Sequence, residues 1–180
     1  MKYLIRHFFI IIIIALQLIS VTGLSQSKSL SDSSNLKLLV AARDIMLDAK
    51  TCSLITLDEE GRARARAMDP FIPEQDFTVW FGTTSKSRKV TQIKNDSRVT
   101  LYYFDVETEG YVVINGTAML VSDEVNIKKY WKEEWASFYP NKKENYILIK
   151  VIPSWLEVLS SAHGIYNNPT TWQPPVVSFD

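Results

Sequence analysis

Cysteine is all but missing from this chain. Cys52 is the only one in 180 residues. A lone cysteine cannot close an internal disulfide, so nothing staples the fold covalently. Histidine is nearly as scarce, with only His7 and His163, and no set of His, Cys, Asp and Glu has metal-ligand spacing. An excess of charge of either sign is also absent, since 20 Lys and Arg face 20 Asp and Glu. Without a basic surplus the sequence offers no case for nucleic acid, and without a block of like charges none for an interaction tail. There is no internal repeat. The glycines of a Walker loop are lacking too. The apolar run from Phe8 to Ile19 falls short of the ~20 residues that cross a bilayer.

What remains is ordinary globular material with generous aromatics. Hydrophobic residues make up 46% and charged ones 22%, and the length suits one domain with a sizeable core. Five Trp and eight Tyr supply flat, rigid surface for packing or for stacking a ring. The N-terminus has the layout of a secretory signal peptide: Lys2 and Arg6, then the apolar run, then Ser20, Thr22, Gly23 and Ser25. We expect cleavage between Ser25 and Gln26, with an uncleaved anchor as the alternative. No Cys near the cut offers a lipid attachment point. Residues 1–25 are thus the signal, 26–35 a Ser-rich flexible leader, and 36–180 the folded domain. Losing Lys2 and Arg6 leaves 18 basic against 20 acidic residues, a net charge of −2. The expected location is periplasmic or secreted, with no stable membrane association after cleavage.

Periodicity gives the elements. Leu36, Leu39, Val40, Ile45, Met46 and Leu47 form a helical stripe, capped by Ser33, Ser34 or Asn35. Thr51 to Leu57 and Arg62 to Met68 form a hairpin around Asp58-Glu59-Glu60-Gly61, where Gly supplies a positive φ. Phe77 to Thr83, Arg98 to Asp105, Tyr111 to Ser122 and Tyr146 to Leu159 read as four more strands. Gly116 and Pro153 mark irregularities in the last two. Thr84 to Asn95 and Asp123 to Phe138 read as helices, the latter with Val125, Ile127, Tyr130, Trp131 and Trp135 on one side. His163 to Asp180 is a polar, Pro-rich tail. Six strands in sequential runs, with too few helices for a βαβ pattern, predict a mainly β (α+β) fold: a closed antiparallel barrel with short flanking helices.

Two segments carry candidate chemistry. Thr83-Thr84-Ser85-Lys86-Ser87-Arg88-Lys89 packs four hydroxyls and three cations at a helix start, where free N–H groups and the dipole favour an anion. A phosphate is the natural ligand, against the plainer reading of a solvated loop. Second, period two puts Arg62, Arg64 and Arg66 on one strand face, where they repel one another unless water or an anion screens them. Cys52 reads as a small buried hydrophobe. His163 is either a tail-packing residue or, less simply, a heme ligand.

These segments sit in a recognisable order. Gly61-Arg62-Ala63-Arg64-Ala65-Arg66-Ala67-Met68, Val79-Trp80-Phe81-Gly82-Thr83, Ser87-Arg88-Lys89-Val90-Thr91-Gln92-Ile93, Asn95-Asp96-Ser97-Arg98-Val99 and Ile114-Asn115-Gly116-Thr117-Ala118 follow one another. Taken together, they resemble the pyridoxamine 5′-phosphate oxidase-like superfamily of FMN-binding split β-barrels, in particular its general-stress-protein subgroup. The resemblance covers about residues 38 to 175 and implies a six-stranded split barrel. By position it implies that Arg66 reaches the flavin phosphate or ribityl chain, that Ala67 and Met68 run along the ring, and that Gly82 and Thr83 flank the ribityl chain. Ser87, Arg88 and Lys89 match the phosphate cluster. Tyr111 falls where the oxidases often carry a partner-subunit Gln. The resemblance also implies a homodimer with the flavin at the interface, and Trp131, Trp155 and Trp172 as candidate second-chain contacts.

The chain departs from true oxidases in two places. Asp69-Pro70-Phe71-Ile72 stands where a lysine helps hold pyridoxal phosphate, and Lys129, Glu133 and Ser137 stand where a Tyr, Arg and Ser set is expected. We therefore expect an FMN-dependent oxidoreductase of some other small substrate. The alternative is a non-catalytic protein binding flavin, deazaflavin or heme in stress protection, since one fold hosts several functions.

Overall fold

The computed structural model describes residues 33–139 and 145–179. The expected signal segment, and the leader as far as residue 32, lie outside the described residues. The chain divides into two compact units, Met1–Lys37 and Leu38–Asp180. Of the first, residues 33–37 are described, and they are helical; residues 33–35, assigned above to the leader, are among them.

The larger unit is an antiparallel sheet wrapped on one main core. Its strands are β1 (Cys52–Leu57), β2 (Ala63–Met68), β3 (Val79–Thr84), β4 (Arg98–Phe104), β5 (Tyr111–Val121), β6 (Tyr146–Leu159) and β7 (Val176–Ser178). They pair in the order β2-β1-β4-β5-β6-β3, with β7 added to β6. Alternation explains the core. Leu54, Leu101, Tyr103, Val112, Ile114, Phe81, Ile149, Leu156 and Val158 all point inward and are almost completely buried. Helix α1, residues 33–48, closes one side with Leu38, Ala41, Ala42, Ile45 and Met46, an i, i+3, i+4, i+7 stripe.

β5 and β6 pair with each other over the full length of β5, and β6 also takes β3 at its start and β7 near its end. The register jumps from Asn115↔Trp155 to Gly116↔Pro153, so Ser154 is an extra residue and bends β6. Its hydroxyl donates to Asn115 O at 2.9 Å. Gly116 is required at this bulge, because a Cβ there would sit 2.2 Å from Ile152 O. Pro153 stands next to that bulge, where the ladder is already interrupted and a proline is tolerated.

Four expectations need correction. Among the described residues the strands number seven, not six, because Val176–Ser178 escapes notice among Pro174, Pro175 and the polar tail. The sheet is split, as the resemblance implied, and not closed as the strand count alone suggested: among the described residues β2 pairs only with β1, and β3 pairs with β6. Between them runs the loop carrying Pro70 and Pro73, which cannot donate to a ladder. The predicted 123–138 helix is two pieces, α3 (Glu124–Lys129) and a 3₁₀ turn, Glu133–Trp135. On a continuous helix Tyr130 and Trp131 would point about 100° apart; the break lets both rings join one aromatic cluster. The helix expected from Thr84 is α2 (Arg88–Asn95), preceded by a turn in which Ser87 N–H donates to Thr84 O.

That aromatic cluster is a second, smaller core. β3 sends Val79, Phe81 and Thr83 inward and Trp80 and Gly82 outward. On the outer face Trp80, Tyr130, Tyr146 and Leu148 are buried together. Tyr130 stacks on Trp80 at 4.4 Å, and its hydroxyl donates to Glu74 Oε1 at 2.6 Å. Tyr146 Oη donates to Tyr130 O.

Candidate functional site

The open seam between β2 and β3 is where the sequence-predicted residues meet. β2 is an edge strand, and its arginine face sorts into two groups. Arg62 and Arg64 fold back onto the hairpin turn, where each lies within 2.9 Å of Asp58 Oδ2, and Arg62 also reaches Glu60. These contacts hold the Asp58 carboxyl well below the usual carboxylate range. Gly61 makes the turn possible, at φ +74°. Arg66 points the other way, toward α2. Its Nη1 donates to Thr56 Oγ1 at 2.8 Å and Leu54 O at 3.2 Å, and its Nη2 to Gln92 Oε1 at 2.9 Å. Thr56 Oγ1 in turn donates to Gln92 Oε1 at 2.7 Å. The guanidinium is therefore fixed in place by neutral acceptors.

α2 brings two more cations to the same spot. Val90 and Ile93 anchor the helix on the barrel. This aims Lys89 inward, where its Nζ donates to the buried Thr83 Oγ1 at 3.1 Å. Ser87 caps the helix in extended conformation without a side-chain bond to the first turn, and its Oγ lies 3.4 Å from Thr83 Oγ1. Partial burial lowers the Arg66 pKa, and repulsion from Arg88 lowers it further. Burial likewise lowers Lys89, with repulsion from Arg66 adding to it. Among the described residues, no carboxylate pairs with Arg66, Arg88 or Lys89. Arg66, Arg88 and Lys89 thus lie near one another at the start of α2 without a close acid partner among the described residues, which makes this a candidate anion site.

Lys89 lines a cleft of about 290 Å³ together with Ala67, Met68, Asp69, Gly82 and Thr83, with Trp135, Phe138 and Tyr139 as an aromatic wall, whereas Arg88 lines a separate hollow with Asp58, Glu59, Glu60 and Arg64. Gly82 lets that wall close: a Cβ there would lie 2.3 Å from Tyr146 Oη and 2.4 Å from Trp135 Cζ3. The wall is pinned by Lys132, which pairs with Asp69 at 2.7 Å and lies over the Phe71 and Trp135 rings. One end of the cleft is cationic and the other flat and apolar. Trp135, Tyr139, Asp69, Thr56 and Gln92 were not singled out from sequence as site residues. Their only signals were the aromatic density after Asp123 and the place of Gln92 one turn beyond Arg88.

Arg66, Ala67, Met68, Gly82, Thr83, Ser87, Arg88 and Lys89 thus gather at one seam. Tyr111 does not join them. It starts β5 opposite Phe104 and Leu159, with its ring 5.9 Å from Tyr102. Trp131 belongs to the aromatic cluster, Trp155 lies half-buried on the outward sheet face, and Trp172 is exposed. Cys52 is buried, which pushes its thiol up to about 12. Both His163 nitrogens are engaged, Nδ1 with Ser160 Oγ at 2.8 Å and Nε2 with Asp44 Oδ2 at 3.2 Å, so neither is left for an iron. Among the described residues no group of three or more His, Cys, Asp or Glu could hold a metal ion, and no helix is long and apolar enough to cross a membrane.

A split antiparallel sheet of seven strands, with a cleft and nearby cations at its open seam, defines the class of fold and the candidate site. The chain belongs within that class to the pyridoxamine 5′-phosphate oxidase like family, whose model matches residues 40–167, well over half of the sequence. Solved structures share the fold. General stress protein 26 from Bacillus anthracis is 20% identical, covering 78% of this chain and 98% of its own, with a TM-score of 0.62. A Clostridium acetobutylicum protein related to general stress protein 26 is 16% identical (79% and 94% covered, TM-score 0.64). A pyridoxamine 5′-phosphate oxidase-related, FMN-binding protein from Nostoc punctiforme is 15% identical (79% and 93% covered, TM-score 0.56). No curated protein matches the sequence.

Proposed function

We propose that the seam binds the phosphate of a flavin, FMN, and that the protein is a flavin-dependent oxidoreductase acting on a small substrate other than pyridoxamine phosphate. The observation that carries this reading is Lys89, without a paired carboxylate among the described residues, on a cleft whose far wall is aromatic, with the likewise unpaired Arg66 near enough to lower its pKa. A ligand with a phosphate at one end and a planar ring at the other matches both ends. Arg66 and Lys89 would hold the phosphate with charge-assisted hydrogen bonds, joined by the Ser87 hydroxyl and the first N–H groups of α2. Met68, Trp135 and Tyr139 would flank the ring and exclude water. The flavin supplies the electron or hydride chemistry when bound.

The chain's own contribution is binding, orientation and charge. Asp69 lines the cleft where the oxidases carry a phosphate-holding lysine, and it already pairs with Lys132. The position therefore offers no lysine to a substrate phosphate, which supports a substrate other than pyridoxamine phosphate. Lys129 is likewise tied to Glu74. The outward sheet face supports the homodimer reading: Tyr102 and Phe104 are 38% and 42% exposed, beside a hollow of about 390 Å³ lined by Ile55, Leu57, Asn115 and Trp155. Residues 1–25 would direct export, and N-terminal sequencing of the mature protein starting at Gln26 would support it.

The test is a visible-absorption titration of the purified full chain with FMN and with riboflavin, which lacks the phosphate. FMN should bind and riboflavin should bind at least about tenfold more weakly, one charge-assisted contact being worth about 1.5 kcal/mol or more. Equal binding of the two, or none of either, overturns the reading. Bound FMN that no nicotinamide cofactor reduces would leave a flavin-binding protein without the oxidoreductase activity.

A further inference from the structure

The outward side of the sheet is uncharged around one carboxylate. Residues that pair in register share a face. The pairing therefore sets Ala67, Ser53, Tyr102, Val113, Glu157 and Val176 in a single row across β2, β1, β4, β5, β6 and β7. The row on one side runs through Ile55, Thr100, Asn115 and Trp155. The row on the other holds Phe104, Tyr111 and Leu159. Glu157 is the only charged side chain in these rows.

That carboxylate stands among apolar neighbours. Val113 and Val176 lie across from it, and Trp155 and Leu159 lie on the same side of its own strand. The titratable groups that face it are Tyr111 from β5 and, behind it, Tyr102 from β4; β7 offers Val176 and Ser178. Among the described residues no Lys, Arg or His pairs with Glu157. Partial burial holds its carboxyl above the ordinary glutamate value.

The face is broad as well as open. Tyr102, Phe104 and Val176 are 38%, 42% and 49% exposed. Strands about 4.8 Å apart and rows about 6.8 Å apart give a plane of roughly 25 Å by 20 Å, of the same order as the ~800 Å² per partner in a stable interface. Ala67, at the end of the Glu157 row, also lines the cleft, so whatever covers the face reaches the candidate site. A lone carboxylate repels an anionic bilayer or a nucleic acid, and these rows hold no cation to attract either. A second copy brings matching apolar rows and an equal carboxylate.

We infer that a second copy of the chain covers this face and that the pair forms with uptake of a proton at Glu157. The inference rests on the homodimer reading above and adds its regulation. Covering the row removes the water that solvates the carboxylate, and each copy brings one such group. With no cation in the rows to meet it, the closed face holds the protonated form. Affinity between copies is highest below the free-copy pKa of Glu157. It falls as pH rises from that value to the higher one inside the pair, and is flat above it.

The test is sedimentation of the purified full chain and of Glu157→Gln from pH 5 to pH 8, without added FMN. The parent should associate at least about tenfold more weakly at pH 8 than at pH 5, a factor of ten for each unit of pKa gained on association. Glu157→Gln should associate at least about tenfold more tightly than the parent at pH 8, and vary less than about threefold across the range. Tyr102→Glu puts a second carboxylate in the row and should weaken the pair at pH 8. A parent pair whose affinity ignores pH, or changes as much in Glu157→Gln, overturns the proton uptake and leaves the homodimer reading standing. A weaker Glu157→Gln pair overturns it too, because the carboxylate then meets a cation of the second copy. A pair indifferent to Tyr102→Glu lies on another face, which also overturns the proposal. A chain that stays monomeric at every pH in both forms sinks the homodimer reading and the proposal together.

Discussion

Arg66→Ala separates a ligand-binding arginine from a structural one. In the folded chain Arg66 makes three hydrogen bonds, to Thr56 Oγ1, Leu54 O and Gln92 Oε1. Loss of such bonds normally costs about 0.5–1.5 kcal/mol each. Here the loss is largely offset. Thr56 and Gln92 keep their mutual bond at 2.7 Å, and Leu54 sits in a strand paired on both sides. Repulsion from Arg88, and that between Arg66 and Lys89, disappears together with the half-buried charge. The stability of the ligand-free variant should therefore stay within about 1 kcal/mol of the parent in urea titrations. Its FMN affinity should not. A lost charge-assisted phosphate contact is worth about 1.5–3 kcal/mol, or roughly 10- to 150-fold in Kd. Arg64→Ala is the matched control, because Arg64 is tied to Asp58, and it should change Kd less than about threefold. If Arg64→Ala and Arg66→Ala weaken FMN equally, the cluster acts as a diffuse positive field and the assignment of Arg66 fails. If Arg66→Ala instead unfolds the chain at unchanged affinity, Arg66 is structural.

Three further outcomes follow from single residues. Gly116→Ala must displace Ile152 backbone, since the new Cβ would lie 2.2 Å from its carbonyl oxygen; we expect about 1–3 kcal/mol of destabilisation by chemical denaturation, and a neutral effect would contradict the bulge geometry. The Cys52 thiol, pushed up to about 12 by burial, should react with a thiol reagent at pH 8 only as fast as the native chain opens, whereas rapid stoichiometric labelling of the native protein would contradict its burial. Lys89 has a pKa below its ordinary value because of burial and the nearby Arg66, and a bound phosphate raises it again. FMN affinity is then complete below the free-state Lys89 pKa and declines as pH rises through it toward the ordinary lysine value of about 10.4; a Lys89→Arg variant should not show that decline in the same titration.

Much of this was legible in the sequence because local rules and tertiary structure agree. The β1–β2 hairpin announces itself through Asp58 to Gly61 and strict alternation. Gly116 and Pro153 mark the bulge from both of its strands. The approach of Arg66 to Lys89 rests on register and on α2 docking, which the order of motifs implied. Legibility fails where side chains far apart in sequence decide the local structure. Tyr130 leaves its helix because Trp80 and Glu74 hold it, 50 or more residues away. β7 is invisible locally because three residues between prolines and a terminus carry too little pattern, and its pairing with Trp155 to Glu157 is the whole reason it is a strand. Nor does alternation say whether a barrel closes; that depends on whether the 69–78 loop can offer a ladder, and its prolines prevent it.

The charge pattern itself argues that the seam is a working site. This fold neutralises cations readily: Arg62 and Arg64 take Asp58, Arg98 takes Asp96 in a forked contact, Lys129 takes Glu74 and Lys132 takes Asp69. Most of these pairs are exposed and individually worth little, so they were cheap to arrange. Arg66 and Lys89 are partly buried, unlike the exposed Arg62, Arg64, Arg98 and Lys129, gain more from a counter-charge than those do, and among the described residues have none. A sequence under selection for stability alone would place an acid on α2 or at the end of β2. The acid that does stand there, Asp69, is turned to Lys132 across the aromatic wall. The unmet charge is therefore retained at partial burial, beside the open seam between β2 and β3. Unrelieved repulsion at an accessible seam is the physical mark of a ligand that completes the structure.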